Sequence, residues 1–319
     1  MMMDKLQRHL ADLALPIAMV LLCVIFTLAE PAFLSFDNLS GILRQVALTG
    51  IMAIFMTYVI MTGGIDLSVG PVMALAGLAA YAVYYGTGLP VGVAILFGLS
   101  VGVVVGAING FAVAVFRLPP IIVTLGMLSI VRGFALLMGG PDLHQVREEP
   151  FYTFLGNGRI LELPVSVWIF FGLAALMYWV EKRTSFGLMV SSIGDNMRAV
   201  FLSGRSVTKT VCAVYILSGI GAAIAGMLLS SQVHTASATY GEFGIELDVI
   251  AAVVLGGTSL MGGKGAVLRT VFGVLLLGVI NNGLNILNVP VDQQLMVKGV
   301  IIVAALAISE WAQRVKSAR

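Results

Sequence analysis

Two short stretches of the 319-residue chain gather glycine pairs with residues that could do chemistry: Gly63-Gly64-Ile65-Asp66-Leu67-Ser68-Val69-Gly70 and Gly256-Gly257-Thr258-Ser259-Leu260-Met261-Gly262-Gly263-Lys264-Gly265. The latter resembles a phosphate-binding loop but fails as one. Such a loop needs a glycine where Thr258 stands and a Ser or Thr after the lysine, where Gly265 stands. No nucleotide site follows, so Gly256 and Gly257 read as a hinge and any chemical energy must come from elsewhere. In the Gly63–Gly70 stretch, Asp66 or Ser68 can accept hydrogen bonds from the free N–H groups that open the next helix. Alternatively, Asp66 lines an inner gate, because a carboxylate near a membrane is costly and seldom idle.

The remaining reactive residue types are scattered. Cys23 and Cys212 sit inside apolar runs, and His9, His144 and His234 are far apart, so neither a disulfide framework nor a zinc site of known spacing emerges. No nucleophile-base pair appears, which argues against an intramembrane enzyme. A net charge of +2 is too small to suggest nucleic-acid binding, which needs a concentrated basic face. Arg132 can snorkel or face a polar pathway. Asn109, Thr124, Ser129, Asn281, Asn282 and Asn285 lie in or near apolar runs, where hydrogen bonds between helices account for them. Such neutral groups would also suit a polar uncharged solute. An ion-coupled carrier is the main rival, yet it usually needs carboxylates within the bundle, and only Asp66 and Asp248 come near.

The elements that position these residues follow from composition. Hydrophobic residues make up 59% and charged ones 11%, and mean hydropathy is +1.02, which excludes a water-soluble globule. Charge-poor runs fall at about 13–29, 46–62, 69–85, 91–116, 120–138, 164–180, 210–231, 248–261, 267–287 and 295–311. They do not alternate as barrel strands would. The expected class is an all-α polytopic membrane protein of about ten transmembrane helices, a single domain over 1–319. An outer loop covers 139–163 and a cytoplasmic loop 181–209. The first run reads as an uncleaved span rather than a secretion signal.

Basic residues set the orientation. With both termini cytoplasmic, the inner side holds Lys5, Arg8, Arg117, Lys182, Arg183, Arg198, Arg205, Lys209, Lys264, Arg269, Arg314, Lys316 and Arg319, against Arg44, Arg147, Arg159 and Lys298 outside. The run at 248–261 is short for a crossing and reads as a half-helix or re-entrant element. A weak echo relates 61–70 to 254–263, aligning Gly63-Gly64 with Gly256-Gly257. In the 181–209 loop, Asp195 or Asn196 can cap a two-turn helix that Gly204 ends, with Met197, Val200 and Phe201 forming an apolar stripe. So short a helix needs a surface, either lipid headgroups or a groove on a cytosolic partner.

Three motifs in order carry a family resemblance: the Gly63–Gly70 octapeptide; Pro119-Pro120-Ile121-Ile122-Val123-Thr124-Leu125-Gly126 followed by Arg132-Gly133; and the run from Glu246-Leu247-Asp248 through Gly262-Gly263. Over nearly its whole length the chain resembles the ribose-type permeases of bacterial ABC importers for monosaccharides. Small departures are Asp195 and Ala199-Val200 in the cytoplasmic region, and Val249. The resemblance implies a non-catalytic subunit of the inner membrane that binds no cofactor, ATP being bound by a partner. Its implied partners are a second permease subunit, identical or different, a cytoplasmic ATP-binding subunit, and a periplasmic or lipid-anchored sugar-binding protein, all within membrane lipid. The implied ATPase-coupling residues are Gly194, Asp195, Asn196, Arg198, Val200, Phe201 and Gly204. Asp66, Asn109, Thr124, Arg132, Gly256 and Gly257 are the candidates for pathway or gate. A permease for a non-sugar solute is the near alternative.

Overall fold

Backbone polar groups cannot be left unpaired in hydrocarbon, so long apolar runs must close their hydrogen bonds locally as helices. The computed structural model describes residues 2–147, 149–241 and 244–317, with side chains described from 15 to 301 outside those gaps and at 303, 304 and 307. Among the described residues there are twelve α-helices: α1 (Met2–Ala29), α2 (Phe36–Met61), α3 (Val69–Thr87), α4 (Val91–Ala114), α5 (Pro120–Gly139), α6 (Pro150–Asn157), α7 (Val165–Arg183), α8 (Ser185–Leu202), α9 (Val207–Val233), α10 (Ile245–Leu255), α11 (Val267–Ile286) and α12 (Val291–Ser317). Seven of them, α2, α3, α4, α5, α7, α9 and α11, are long and apolar enough to cross a membrane. The chain is therefore a helical multi-pass membrane protein. The ten apolar runs fall on helices except for the end of the eighth, 256–261, with α1, α10 and α12 carrying the other three. Of the basic residues that set the expected orientation, Lys5, Arg8, Arg314, Lys316 and Arg319 lie outside the described side chains.

Helix ends depart from the expected spans for identifiable reasons. α2 starts at Phe36, about ten residues early, because Ser35 Oγ accepts from Asn38 N and the polar side chains of its first turns find partners. Asn38 and Asn282 exchange amide hydrogen bonds at 2.9 and 2.8 Å. Arg44 belongs to this helix rather than to an outer loop, and its guanidinium donates to Asn157 Oδ1 and to the carbonyls of Gly156 and Gln232. The expected outer loop at 139–163 contains α6, capped by Glu149, and a two-residue hairpin pairing Arg159 with Pro164. The expected loop at 181–209 is mostly the 18-residue helix α8, capped by Thr184.

α9 is the central post, packed against α2, α3 and α4, while α11, α10 and α7 surround α2. Burial follows this order: 67% of the best apolar window of α9 is covered but only 22% of that of α5. Hydrocarbon solvates leucine as well as a protein core does, so close van der Waals packing holds such helices together, and small residues permit it. Where α4 crosses α9, a Cβ on Gly102 would strike the carbonyl of Gly219, and a Cβ on Gly219 that of Gly102. Gly219→Val should therefore force the two backbones apart and lower stability by about 2 kcal/mol. Thermal unfolding of the detergent-solubilised protein reads this directly; an unchanged midpoint would show that the crossing is loose.

Candidate functional site

The α2–α3 turn carries Asp66, which is only 1% exposed. Its Oδ1 accepts from the Ser68 backbone N–H (3.0 Å) and from Ser68 Oγ (2.6 Å), and its Oδ2 accepts from Ser218 Oγ (2.8 Å). Asn109 Nδ2 in turn donates to Ser68 Oγ at 3.0 Å. A buried carboxylate is tolerated only where donors replace lost water, and here three donors do so. Thr124 Oγ1 on α5 donates to the Ile65 carbonyl (3.1 Å), so three helices grip one turn. Ser218 lies midway along α9, and the turn is thus drawn into the bundle. The stretch joins α2 to α3, and its seven non-helical residues, 62–68, reach roughly 20 Å when extended. The capping expectation holds in altered form. Asp66 receives the Ser68 N–H, while Ser68 caps nothing with its own side chain.

Another junction is made of backbone. Gly263 N donates to the Met61 carbonyl at 2.8 Å. Gly194 of α8 lies against that bond so tightly that a Cβ would strike Met61 O and Gly263 N, and Ser191 Oγ donates to the Gly263 carbonyl at 2.8 Å. Gly262 in turn contacts Gly63 N. The two glycine-rich stretches therefore meet, and α8 lies across both. Their echo is not a strict structural repeat, because the left-handed residues are Gly63 (φ +81°) and Gly257 (φ +79°), which are offset by one position in it. Gly256 ends α10, and its missing Cβ admits the backbone of Arg269 and Thr270.

Beyond Gly194 and Asp195, α8 breaks at Asn196 (φ −160°, ψ 89°), whose Oδ1 accepts from Ala199 N at 3.0 Å. Asn196, not Asp195, is the cap. Asp195 instead places its carboxylate at Gly263. Gly204 takes φ +76° just past the end of the turn. Val200 is 7% exposed and anchors the turn, whereas Met197 and Phe201 are 50% and 67% exposed, and Arg198 is exposed. The expected apolar stripe divides into one residue facing the bundle and two facing out.

Arg132 neither snorkels nor stands idle: Nη1 donates to the carbonyls of Ala238 and Tyr240. It holds the turn, 238–241, that follows the β pairing of His144 with Ala236 and ends at Gly241, against Gly70 at the start of α3. α10 begins just beyond. With 11 residues it is about 16 Å long, half the hydrocarbon thickness. The eighth run is thus a short helix, over 245–255 rather than 248–261. Sequence reasoning misses Ser218, Ser191 and the Met61 carbonyl. A serine inside the apolar run of α9 is a visible signal; backbone contacts leave none.

The chain is thus a multi-pass helical bundle with one 11-residue helix among its long apolar ones and a further helix laid over two glycine turns. Residues 38–306 match the family described as branched-chain amino acid transport system / permease component, and the chain belongs to that family. It is 41% identical to the ribose import permease protein of Bacillus subtilis, covering 92% of this chain and 90% of that protein. It is 37% identical to the ribose import permease protein of Haemophilus influenzae (96% and 95%) and 34% identical to the fructose import permease protein of Rhizobium meliloti (98% and 90%). No solved structure matches the chain.

Removing the carboxylate should be worse than removing one of its donors. Asp66→Ala leaves two hydroxyls and an N–H without their acceptor and should cost about 2 kcal/mol or more, against about 1 kcal/mol for Ser218→Ala. Melting curves of the two purified variants settle the order, and equal midpoints would refute it.

Proposed function

We propose that this chain is the membrane-spanning permease subunit of an ATP-driven importer of monosaccharides in the bacterial inner membrane. The carrying observation is identity of 34–41% over more than nine-tenths of the chain to permeases whose names specify ribose and fructose import. The family description names branched-chain amino acids; the sugar permeases cover the chain end to end, and we follow them. The subunit itself hydrolyses nothing. A cytoplasmic ATP-binding partner supplies the energy, a second permease subunit completes the pathway, and an external sugar-binding protein delivers the solute.

In this reading both termini and α8 face the cytoplasm, in keeping with Lys182, Arg183, Arg198, Arg205 and Lys209. The turn at 197–202, offering Met197, Arg198 and Phe201, docks into the ATPase. Asn196 and Gly204 bound the turn and Val200 seats it. Gly194 and Asp195 pass its displacement to the Met61–Gly263 junction. Asp66 and Asn109 hold the adjacent turn as an inner gate, with Thr124 bracing it from α5. Arg132 shapes the broken crossing that ends at Gly256 and Gly257. ATP binding biases one of two packings of these parts, which is alternating access.

Proteoliposomes containing the permease, its ATPase and its binding protein test this. Accumulation of labelled ribose should require internal ATP and fall at least tenfold in Phe201→Asp, together with loss of ATPase co-purification. Uptake driven by an ion gradient without ATP would establish an ion-coupled carrier instead.

A further inference from the structure

A hollow of about 670 Å³ opens between the 197–202 turn, the adjoining ends of α4 and α9, and the link from α4 to α5. Its charged lining residues are Arg117 and Arg198, with no acid among them. Among the described residues neither arginine has an ion-pair or hydrogen-bond partner. The walls below are apolar, including Val211 and Leu118. At the inner end lies Tyr215, fully buried, with its hydroxyl against Gly64 and no hydrogen-bond partner.

We propose that this hollow binds an anionic phospholipid of the cytoplasmic leaflet, its phosphate between Arg117 and Arg198 and an acyl chain along Leu118 and Val211. Two observations select a lipid. Two exposed guanidiniums with no acid in the hollow favour an anion, and they stand on the side where basic residues concentrate, where anionic headgroups attract them. The apolar wall is also continuous with bilayer-facing surface: Leu118 lines the hollow and is 46% exposed, and its neighbours Phe116 and Ile122 are 64% and 68% exposed. An amphiphile enters from that side without leaving the membrane. Seated there, it fills the space behind the coupling turn, so the docking surface is partly built on lipid. The inference rests on the proposed orientation, which puts this face at the cytoplasmic leaflet.

The test uses the full-length permease alone, in nanodiscs of equal phosphatidylglycerol and phosphatidylcholine, with retained lipid measured by native mass spectrometry. Phosphatidylglycerol should be retained at least fivefold over phosphatidylcholine. Arg117→Gln should abolish the preference and Arg117→Lys should restore much of it. Thr208→Glu is the companion variant: it lines the same hollow, is exposed, and places a carboxylate in the first turn of α9, where the helix dipole favours it. It should fold and repel the phosphate, lowering retention as Arg117→Gln does. Equal retention of both lipids by the parent protein, or displacement of phosphatidylglycerol by millimolar inorganic phosphate, overturns the proposal. So does an Arg117→Gln variant whose phosphatidylglycerol retention is unchanged. Lipid preference without ATP-driven uptake would sink the transport reading alone; uptake without lipid preference would sink this inference alone.

Discussion

The structure turns on a contact that has no room for a side chain. Gly194 lies against the hydrogen bond between Met61 and Gly263, so the helix that bears the exposed turn touches, backbone to backbone, the ends of two other segments. Contacts of this kind transmit displacement well, because close-packed backbone has no rotamer to absorb a push. In the proposed coupling, force applied at Met197 and Phe201 would pass through Val200 and Gly194 into the α2–α3 turn and the α10–α11 turn at once.

The Asp66 cluster makes the α2–α3 turn firm. A carboxylate buried among hydroxyls has few alternative arrangements, because each one strands a donor or an acceptor. Asn109, Ser218 and Thr124 tie the turn to α4, α9 and α5 respectively. The proposed alternating access would exchange two packings of the bundle about the glycine turns.

Much of the fold was legible because the signal was long. Runs of about twenty apolar residues have one cheap conformation in lipid, so the long runs fall on helices, while the short eighth run leaves its helix at Leu255. Their ends were less legible where polar residues belong to helices. Asn38 and Arg44 have the character of loop residues until their partners at Asn282 and Asn157, both more than a hundred positions away, come into view. The cap at Asn196 and the stop at Gly204 were readable because capping is local chemistry. The depth of Asp66 was not, since it depends on Ser218, 152 residues on. Gly194 carried no sequence mark of its contact: a glycine that admits a backbone is spelled like any other.

The most direct measurement replaces Gly194 with alanine in the reconstituted complex and records ATP hydrolysis and monosaccharide uptake from the same vesicles, after confirming that the ATPase remains bound. If displacement travels through this contact, hydrolysis continues near the parent rate while uptake falls at least tenfold. Uptake and hydrolysis that both stay at parent levels would contradict the account.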